Sequence, residues 1–237
     1  MRVERSNMRG KRFNLYVFLA SFFFLYATFP TFAVLGGDLP LDPAVQAGNP
    51  TITSDGKDMT VNAGASDKTW IDWRGGFNIG AENSVTNLAD STSAVILHND
   101  VSGAISNIQG ALNGNCNVFL LNPSGILFGA GASVNVGGLV VSTLRMSIDD
   151  FLSGKYTFNS DGADMGSIVN SGIITSQNAS GVTFLGGSVS NEGVINANLG
   201  TVNLISGSEV TLDVTNSGSI QATVNKEVLA NVYDKDG

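Results

Sequence analysis

A seven-residue pattern centred on Asn-x-Gly recurs at a nearly constant interval in the second half of the chain. It reads Ile-Val-Asn-Ser-Gly-Ile-Ile at residues 168–174, Val-Ser-Asn-Glu-Gly-Val-Ile at 189–195 and Val-Thr-Asn-Ser-Gly-Ser-Ile at 214–220. The asparagines, at positions 170, 191 and 216, are therefore 21 and 25 residues apart. Asn122 lies 48 residues before Asn170, which we interpret as two further periods of 24. Repeats of this length are typical of solenoids, in which each unit packs only on its neighbours.

Each repeat is too short to bury its own apolar face, so neighbouring units must stack. Val and Ile flank the Asn-x-Gly triplets, and no long segment has apolar residues at helical spacing. Residues 147–152 are the best candidate for a helix, a short capped turn. Strand-turn-strand units of this length predict an all-β fold, a right-handed parallel β-helix. The alternative is a β-sandwich with accidental Asn-x-Gly turns, but sandwich turns come every ~8–12 residues.

The repeated triplets also predict how the stack is held. Asparagines at equivalent positions can hydrogen-bond to each other along the stack, as identical polar residues do in stacked sheets. The glycines are expected to have a positive φ in a tight bend. These repeat-turn residues are Asn170, Gly172, Asn191, Gly193, Asn216 and Gly218.

The N-terminal segment has the parts of a secretory signal peptide. Five basic residues precede residue 13, an apolar run follows at residues 15–29, and Thr31-Phe32-Ala33 places small residues at the positions that a signal peptidase inspects. We predict cleavage after Ala33, which separates a signal peptide at 1–33 from a mature domain at 34–237. The alternative, a membrane anchor, would need about 20 apolar residues.

The mature chain is acidic and poor in the side chains used for metal binding and catalysis. Five of the 12 basic residues and one of the 20 acidic residues precede residue 13, which leaves 7 basic and 19 acidic residues, a net charge of −12. Such a body is a poor binder of nucleic acid, because phosphate contacts require Lys and Arg. One histidine and one cysteine exclude a His/Cys metal cluster and an intrachain disulfide. We therefore expect no metal site and no cofactor.

Four individual side chains receive structural interpretations. We expect His98 to be solvated in a polar loop and Cys116 to be a small structural residue. Trp70 and Trp73 are expected to pack in or cap the first coil, and the alternative is an aromatic platform for carbohydrate. The acidic pairs at 149/150 and 161/164 match no known calcium-loop spacing, so we expect solvated acidic turns.

Several blocks of the chain resemble a known family. Residues 117–129 read Asn-Val-Phe-Leu-Leu-Asn-Pro-Ser-Gly-Ile-Leu-Phe-Gly, and 134–144 read Val-Asn-Val-Gly-Gly-Leu-Val-Val-Ser-Thr-Leu. Upstream lie Ile-Asp-Trp at 71–73, Phe-Asn-Ile-Gly at 77–80, Ala-Val-Ile-Leu at 94–97 and Ile-Ser-Asn-Ile-Gln-Gly at 105–110. These blocks, in this order over about residues 40–222, resemble the filamentous haemagglutinin N-terminal domain, the secretion domain of two-partner secretion exoproteins.

The resemblance implies a parallel β-helix with N-terminal capping strands and small extra-helical β-elements. It also implies a secretion role and no enzymatic activity. Such a chain crosses the inner membrane by the Sec machinery and is bound in the periplasm by the POTRA domains of an Omp85-type outer-membrane transporter. It then folds outside the Gram-negative cell, secreted or at the cell surface, as a template for the β-helix. Members are usually much longer, so this chain could be a fragment; we expect a monomer.

The family's hallmark motif is Asn-Pro-Asn-Gly-Ile, and here Asn122-Pro123-Ser124-Gly125-Ile126 carries Ser in the third position. Ser and Asn both suit turns, so we expect the turn to be kept. The family's second short motif, Asn-Pro-Asn-Leu, is not visible. Two interpretations of residues 122–126 stay open: a motif that the transporter recognises, or a β-turn with only a structural role.

Two other functions are weighed against secretion. The domain could itself be an adhesin that binds host or surface glycans, which the sequence neither supports nor excludes. A polysaccharide-active β-helix enzyme is a weaker alternative, because glycosidases need two opposed carboxylates and the spacing of Glu192 and Glu209 does not place them on one face.

Overall fold

The computed structural model describes residues 39–214 and 219–227, and nearly every element in it is a short β-strand. The expected signal peptide and its cleavage site at Ala33 lie outside these residues. In chain order the elements are β1 (Pro43–Ala47), β2 (Thr51–Ser54), β3 (Asp58–Asn62), β4 (Lys68–Trp73), β5 (Ser84–Leu88), β6 (Val95–Asp100), β7 (Ser106–Ile108), β8 (Ala111–Gly114), β9 (Asn117–Leu121), β10 (Ile126–Phe128), β11 (Ser133–Val136), β12 (Gly138–Ser142), α1 (Ile148–Ser153), β13 (Tyr156–Asn159), β14 (Ser167–Asn170), β15 (Ile173–Ser176), β16 (Val182–Gly186), β17 (Ser188–Asn191), β18 (Val194–Ala197), β19 (Val202–Val214) and β20 (Ile220–Glu227).

Three parallel sheets form the faces of a coil. The A sheet contains β4, β6, β9, β12, β16 and the first half of β19; the B sheet contains β3, β5, β8, β11, β15 and β18; the C sheet contains β7, β10, β14 and β17. Each turn takes one strand from each sheet, so β8, β9 and β10 form one turn. Neighbouring turns pair in parallel register, which aligns Ile96, Val118, Leu139 and Val182 in one column. The predicted parallel β-helix is confirmed.

The interior of the coil is filled by side chains that point inward from all three sheets. Leu112 of the B sheet, Leu139 of the A sheet and Ile168 of the C sheet are fully buried in this core. Phe128 and Phe184 stack with ring centroids 6.1 Å apart. Because each unit meets a similar apolar residue one turn away, stacking buries a core that no single repeat could form.

A second apolar layer covers the outer face of the A sheet. It is formed by α1, β13, the second half of β19 and β20. Outside the coil, the second half of β19 pairs antiparallel with β13 and with β20. Trp70 packs edge-to-face on Phe151 of α1, with centroids 5.4 Å apart, and Phe119 packs on Tyr156 of β13 at 5.2 Å. With both faces covered, β9 and β12 are buried at every position and form continuous apolar runs. The extra-helical elements expected from the resemblance are present.

The helix α1 agrees with the short capped turn that the sequence predicts. The Ser147 side chain accepts a hydrogen bond from the Asp150 backbone N–H, as an N-cap residue does. Among the described residues, no helix has the length and the apolar content needed to cross a bilayer.

The two ends of the coil differ. At the N-terminal end, β1 pairs antiparallel with β4 and β2 pairs antiparallel with β3, so these strands cap the first turn. At the other end, β17 and β18 have a partner strand on only one side within the described ranges. Val202 and Leu204 continue the interior columns of Val182 and Phe184, yet they are 41% and 46% exposed. The described coil is therefore capped at one end and open at the other.

The predicted asparagine ladder forms between two repeats and fails at the third. Asn170 and Asn191 are paired in parallel register, and the Asn170 Nδ2 donates to Asn191 Oδ1 at 2.7 Å. Val214 and Ile220, the ends of the third copy, instead pair antiparallel in the β19–β20 hairpin. The third copy therefore does not continue the stack, and Asn216 and Gly218 themselves lie outside the described residues.

The expected reason for the repeat glycines is wrong. Neither Gly172 nor Gly193 has a positive φ. A Cβ on Gly172 would lie 2.6 Å from the Ala132 carbonyl oxygen, and one on Gly193 would overlap the carbonyl oxygen of Gly172. Glycine is needed at this corner because the backbone of the preceding turn approaches too closely for any side chain.

The interpretation of the interval between Asn122 and Asn170 as two repeat periods is also wrong. Asn170 ends β14 in the C sheet and pairs with Phe128, whereas Asn122 follows β9 of the A sheet. The two asparagines therefore lie at different corners of the coil. The interval of 48 residues is coincidental, because α1 and β13 are inserted into one turn between them.

Candidate functional site

The motif at residues 122–126 forms a tight turn between β9 and β10. The Asn122 carbonyl accepts a hydrogen bond from the Gly125 N–H at 3.1 Å, and its side-chain Oδ1 accepts one from the Ser124 N–H at 2.9 Å. Pro123 occupies the second position, where its fixed φ suits a β-turn. Gly125 has a φ of 125°, a backbone conformation that residues other than glycine rarely adopt. The turn expected from the sequence is present, and Ile126 begins β10 in the core.

Asn122 connects this turn to the preceding turn of the coil. Its side chain is fully buried, and its Nδ2 donates to the Ala104 carbonyl at 2.8 Å and to Ser106 Oγ at 2.9 Å. The amide therefore uses both its donor and its acceptor groups. Ser124, in contrast, contributes a backbone N–H to the turn and has an exposed side chain. This explains why the turn tolerates Ser in place of the family's second Asn.

Asp100, a residue that the sequence analysis missed, completes a buried polar network below the turn. Its Oδ2 accepts from the Phe77 N–H at 2.8 Å and from Ser106 Oγ at 2.7 Å, and its Oδ1 accepts from the N–H and Oγ of Ser102 at 3.0 and 2.7 Å. Ser106 therefore bridges Asp100 and Asn122. The network links three successive turns of the coil, since Phe77, Asp100 and Asn122 belong to consecutive turns.

A sequence signal for Asp100 exists in the alternation along β6. Ile96, His98 and Asp100 occupy alternate positions of β6, and the register aligns His98 with Leu120 of β9. Asp100 therefore lies one turn below Asn122 and points to the same side as the apolar Ile96. An acidic residue in phase with an apolar column predicts a buried, fully hydrogen-bonded carboxylate.

His98 lies in the core, so the expectation of a solvated loop residue is wrong. The Trp73 Nε1 donates to His98 Nδ1 at 3.1 Å, and His98 Nε2 lies 2.8 Å from Asn87 Oδ1. Because Nδ1 accepts, the ring proton is on Nε2 and is donated to Asn87. Burial lowers the pKa of His98 from 6.5 to about 3. The imidazole is therefore neutral and held by two partners.

Lowering the pH from 7 to 5 is expected to destabilise the fold through His98. The unfolded imidazole takes up a proton near its ordinary pKa of 6.5, whereas the folded pKa is about 3, so acid favours the unfolded state. The contribution is fully present above pH 6.5 and falls by about 2 kcal/mol at pH 5. Urea denaturation at both pH values measures it. His98→Gln should lack this part of the pH dependence, and an unchanged dependence in that variant would contradict the prediction.

The other singled-out side chains have structural positions. Cys116 is buried inside the coil, and burial raises the pKa of its thiol to about 11, in agreement with a structural role. Trp73 is fully buried and Trp70 is 5% exposed, so neither forms a carbohydrate platform and the packing interpretation is confirmed. Within residues 39–214 and 219–227, no three His, Cys, Asp or Glu side chains are grouped as metal ligands would be.

The exposed part of the turn borders a cleft of about 270 Å³. Pro123 and Ser124 form one side, and Arg145 and Met146, which follow β12, form another. Val101, which is 48% exposed, adds to the apolar lining. The motif is therefore divided: Asn122 and Gly125 are buried, Pro123 is half-buried and Ser124 is exposed.

Residues 40–235 match the family model described as the TPS secretion domain. Two curated relatives are heme/hemopexin-binding proteins of Haemophilus influenzae. One, from strain Rd, is 32% identical over 208 residues, which cover 84% of this chain and 22% of the relative. The other is 37% identical over 100 residues, which cover 42% of this chain and 11% of the relative. The chain thus spans about a fifth or less of the length of these relatives.

The fold is similar to the crystal structure of the HMW1 secretion domain from Haemophilus influenzae. The TM-score is 0.68 at 30% sequence identity, and the match covers 80% of this chain and 50% of that one. The sequence thus matches a secretion domain along most of its length, and the fold matches a solved secretion domain. The chain with these matches has the capped parallel coil, the turn at residues 122–125 and the extra-helical layer. The chain belongs to the TPS secretion domain family, the secretion domains of two-partner secretion substrates.

Proposed function

We propose that this domain is recognised in the periplasm by the POTRA domains of an Omp85-type outer-membrane transporter and then templates the folding of its exoprotein at the cell surface. Residues 1–33 would act as the Sec signal peptide, cleaved after Ala33, and residues 34–237 as the exported secretion domain. Family membership and the apolar leader with its small-residue cleavage site support this route.

The observation that carries the templating role is the difference between the two ends of the coil. Antiparallel strands β1 and β2 cover the first turn, so no further turn can stack there. At the other end, inward-facing Val202 and Leu204 are about half exposed, and the β17 and β18 edges have backbone groups without a described strand partner. A further turn of parallel strands added at this end would bury those side chains and extend all three sheets.

We propose a binding role and no catalysis for this domain. The single histidine has its two ring nitrogens occupied by Trp73 and Asn87, so it is not free to act as a general base. The single cysteine has a buried thiol whose pKa is raised to about 11, which disfavours the nucleophilic thiolate.

Export in the presence and absence of the transporter tests the proposal. The full chain, with its leader, is expressed in a Gram-negative host with and without the cognate transporter, and the protein in the medium and in the periplasm is quantified. We expect protein in the medium only when the transporter is present. Its intact mass should be that of a chain that begins at Val34, directly after Ala33. Equal release without the transporter would contradict the proposal.

A further inference from the structure

The cleft beside the Asn122 turn contains a cation, Arg145, that has no partner in the described part of the chain. Arg145 is exposed, and its guanidinium makes no hydrogen bond or ion pair with any residue that the structure describes. Its backbone, in contrast, is held by two hydrogen bonds to Asn159, at 2.8 and 2.9 Å. The side chain therefore extends from a fixed position and remains free to bind a second molecule.

The carboxylate of Asp100, which also lines the cleft, is not available to Arg145. All four of its hydrogen bonds are made to Phe77, Ser102 and Ser106, and the residue is 1% exposed. Each carboxylate oxygen accepts two hydrogen bonds, so rotating the Asp100 side chain toward the guanidinium would break them. Within residues 39–214 and 219–227, therefore, no carboxylate pairs with Arg145.

The rest of the cleft is suited to an apolar side chain. Met146 is 8% exposed and Pro123 half-buried, and Val101 presents about half of its surface. The volume of about 270 Å³ lies below the range of roughly 300–1,000 Å³ that is usual for small-molecule sites. A cleft of this size accommodates one or two side chains of a partner chain.

We propose that this cleft binds a carboxylate-bearing segment of the transporter's periplasmic domains, with Arg145 pairing the carboxylate and the apolar walls holding a neighbouring side chain. The inference rests on the proposed function and assigns it a contact surface. Carboxylate and phosphate both match the planar, two-pronged guanidinium, and a protein partner supplies the carboxylate from Asp or Glu. Arg145 is also one of only 7 basic residues in a mature chain with 19 acidic ones, so it marks one place on an acidic surface where an anion can dock.

Binding to the purified POTRA domains of the cognate transporter tests the inference. The exported chain is purified from the periplasm of a strain that lacks the transporter, and its Kd is measured at 50 and 200 mM NaCl. Arg145→Ala should weaken binding about tenfold at low salt, and Arg145→Glu more strongly. The wild-type Kd should rise with salt more steeply than that of Arg145→Ala. Lys155→Ala is the matched control, because it removes another exposed cation outside the cleft and should change Kd less than about twofold.

The outcomes separate the inference from the function on which it rests. If Arg145→Ala binds as tightly as Lys155→Ala, the cleft is not the contact surface, although recognition by the transporter stands. If wild-type protein does not bind the POTRA domains at all, both the proposed function and the inference fail. Equal urea midpoints of all variants show that any loss of binding is not a loss of folding.

Discussion

Replacing Asp100 with alanine is expected to lower the free energy of unfolding by about 3–5 kcal/mol. The variant loses four hydrogen bonds and leaves two buried donors, the Phe77 N–H and the Ser106 hydroxyl, without an acceptor. Each buried group left unpaired costs about 1–3 kcal/mol, and the lost bonds to Ser102 add to this. Because the network joins three turns, we expect a lower urea midpoint for the whole coil.

Asp55 provides a matched control for this prediction. It also accepts backbone hydrogen bonds, from Lys57 at 2.9 Å and Asp58 at 2.8 Å, but it lies in an exposed turn. When Asp55 is replaced by alanine, water can satisfy the released donors, so the effect should be much smaller. If Asp100→Ala and Asp55→Ala destabilise the protein equally, burial of the network is not what makes Asp100 important.

The second large effect is expected for Asn122→Ala, which should lower the free energy of unfolding by about 2–4 kcal/mol. Three hydrogen bonds are lost, to Ala104, Ser106 and Ser124, and a small cavity forms at a fully buried position. Equilibrium denaturation measures the change. We expect export to fall with it, because the turn that presents Pro123 and Ser124 is no longer held.

Ser124→Ala is the matched control for the structural role of Asn122 in the motif. The Ser124 side chain is exposed and the turn uses only its backbone, so stability should change by less than about 0.5 kcal/mol. A large loss for Asn122→Ala beside a neutral Ser124→Ala supports a structural role for the buried asparagine. Similar stabilities of the two variants would contradict that role.

The position of the motif shows why burial could not be inferred from sequence alone. Asn-Pro-Ser-Gly predicts a turn because each of these residues favours turn backbone locally, and the structure has that turn. Whether Asn122 faces solvent depends on Ala104 and Ser106, which approach it only because the coil returns to the same corner. Local preference therefore predicts the turn but not the partners of its side chains.

The histidine illustrates the same division. His98 precedes Asn99 and Asp100, and this polar run is typical of a loop. In the fold, alternate residues of β6 point into the coil, and the Trp73 indole and the Asn87 amide satisfy the imidazole there. These partners come from two other strands, 25 and 11 residues away in the chain. A polar side chain can be buried once such partners exist, and they arise only from tertiary structure.

The sequence repeat was enough to predict the parallel β-helix, because a repeat with strand-turn-strand units has few ways to bury its apolar residues other than by stacking. It also determined the stacking of Asn170 on Asn191, which follows from the repeat register. Where the stack ends, in contrast, depends on contacts between distant parts of the chain. The third copy of the repeat leaves the coil because the second half of β19 pairs antiparallel with β13 and β20 over the A sheet. This antiparallel pairing covers the apolar outer face of the A sheet, which is formed by strands that are distant in the chain. A local sequence pattern does not indicate which sheet face has to be covered.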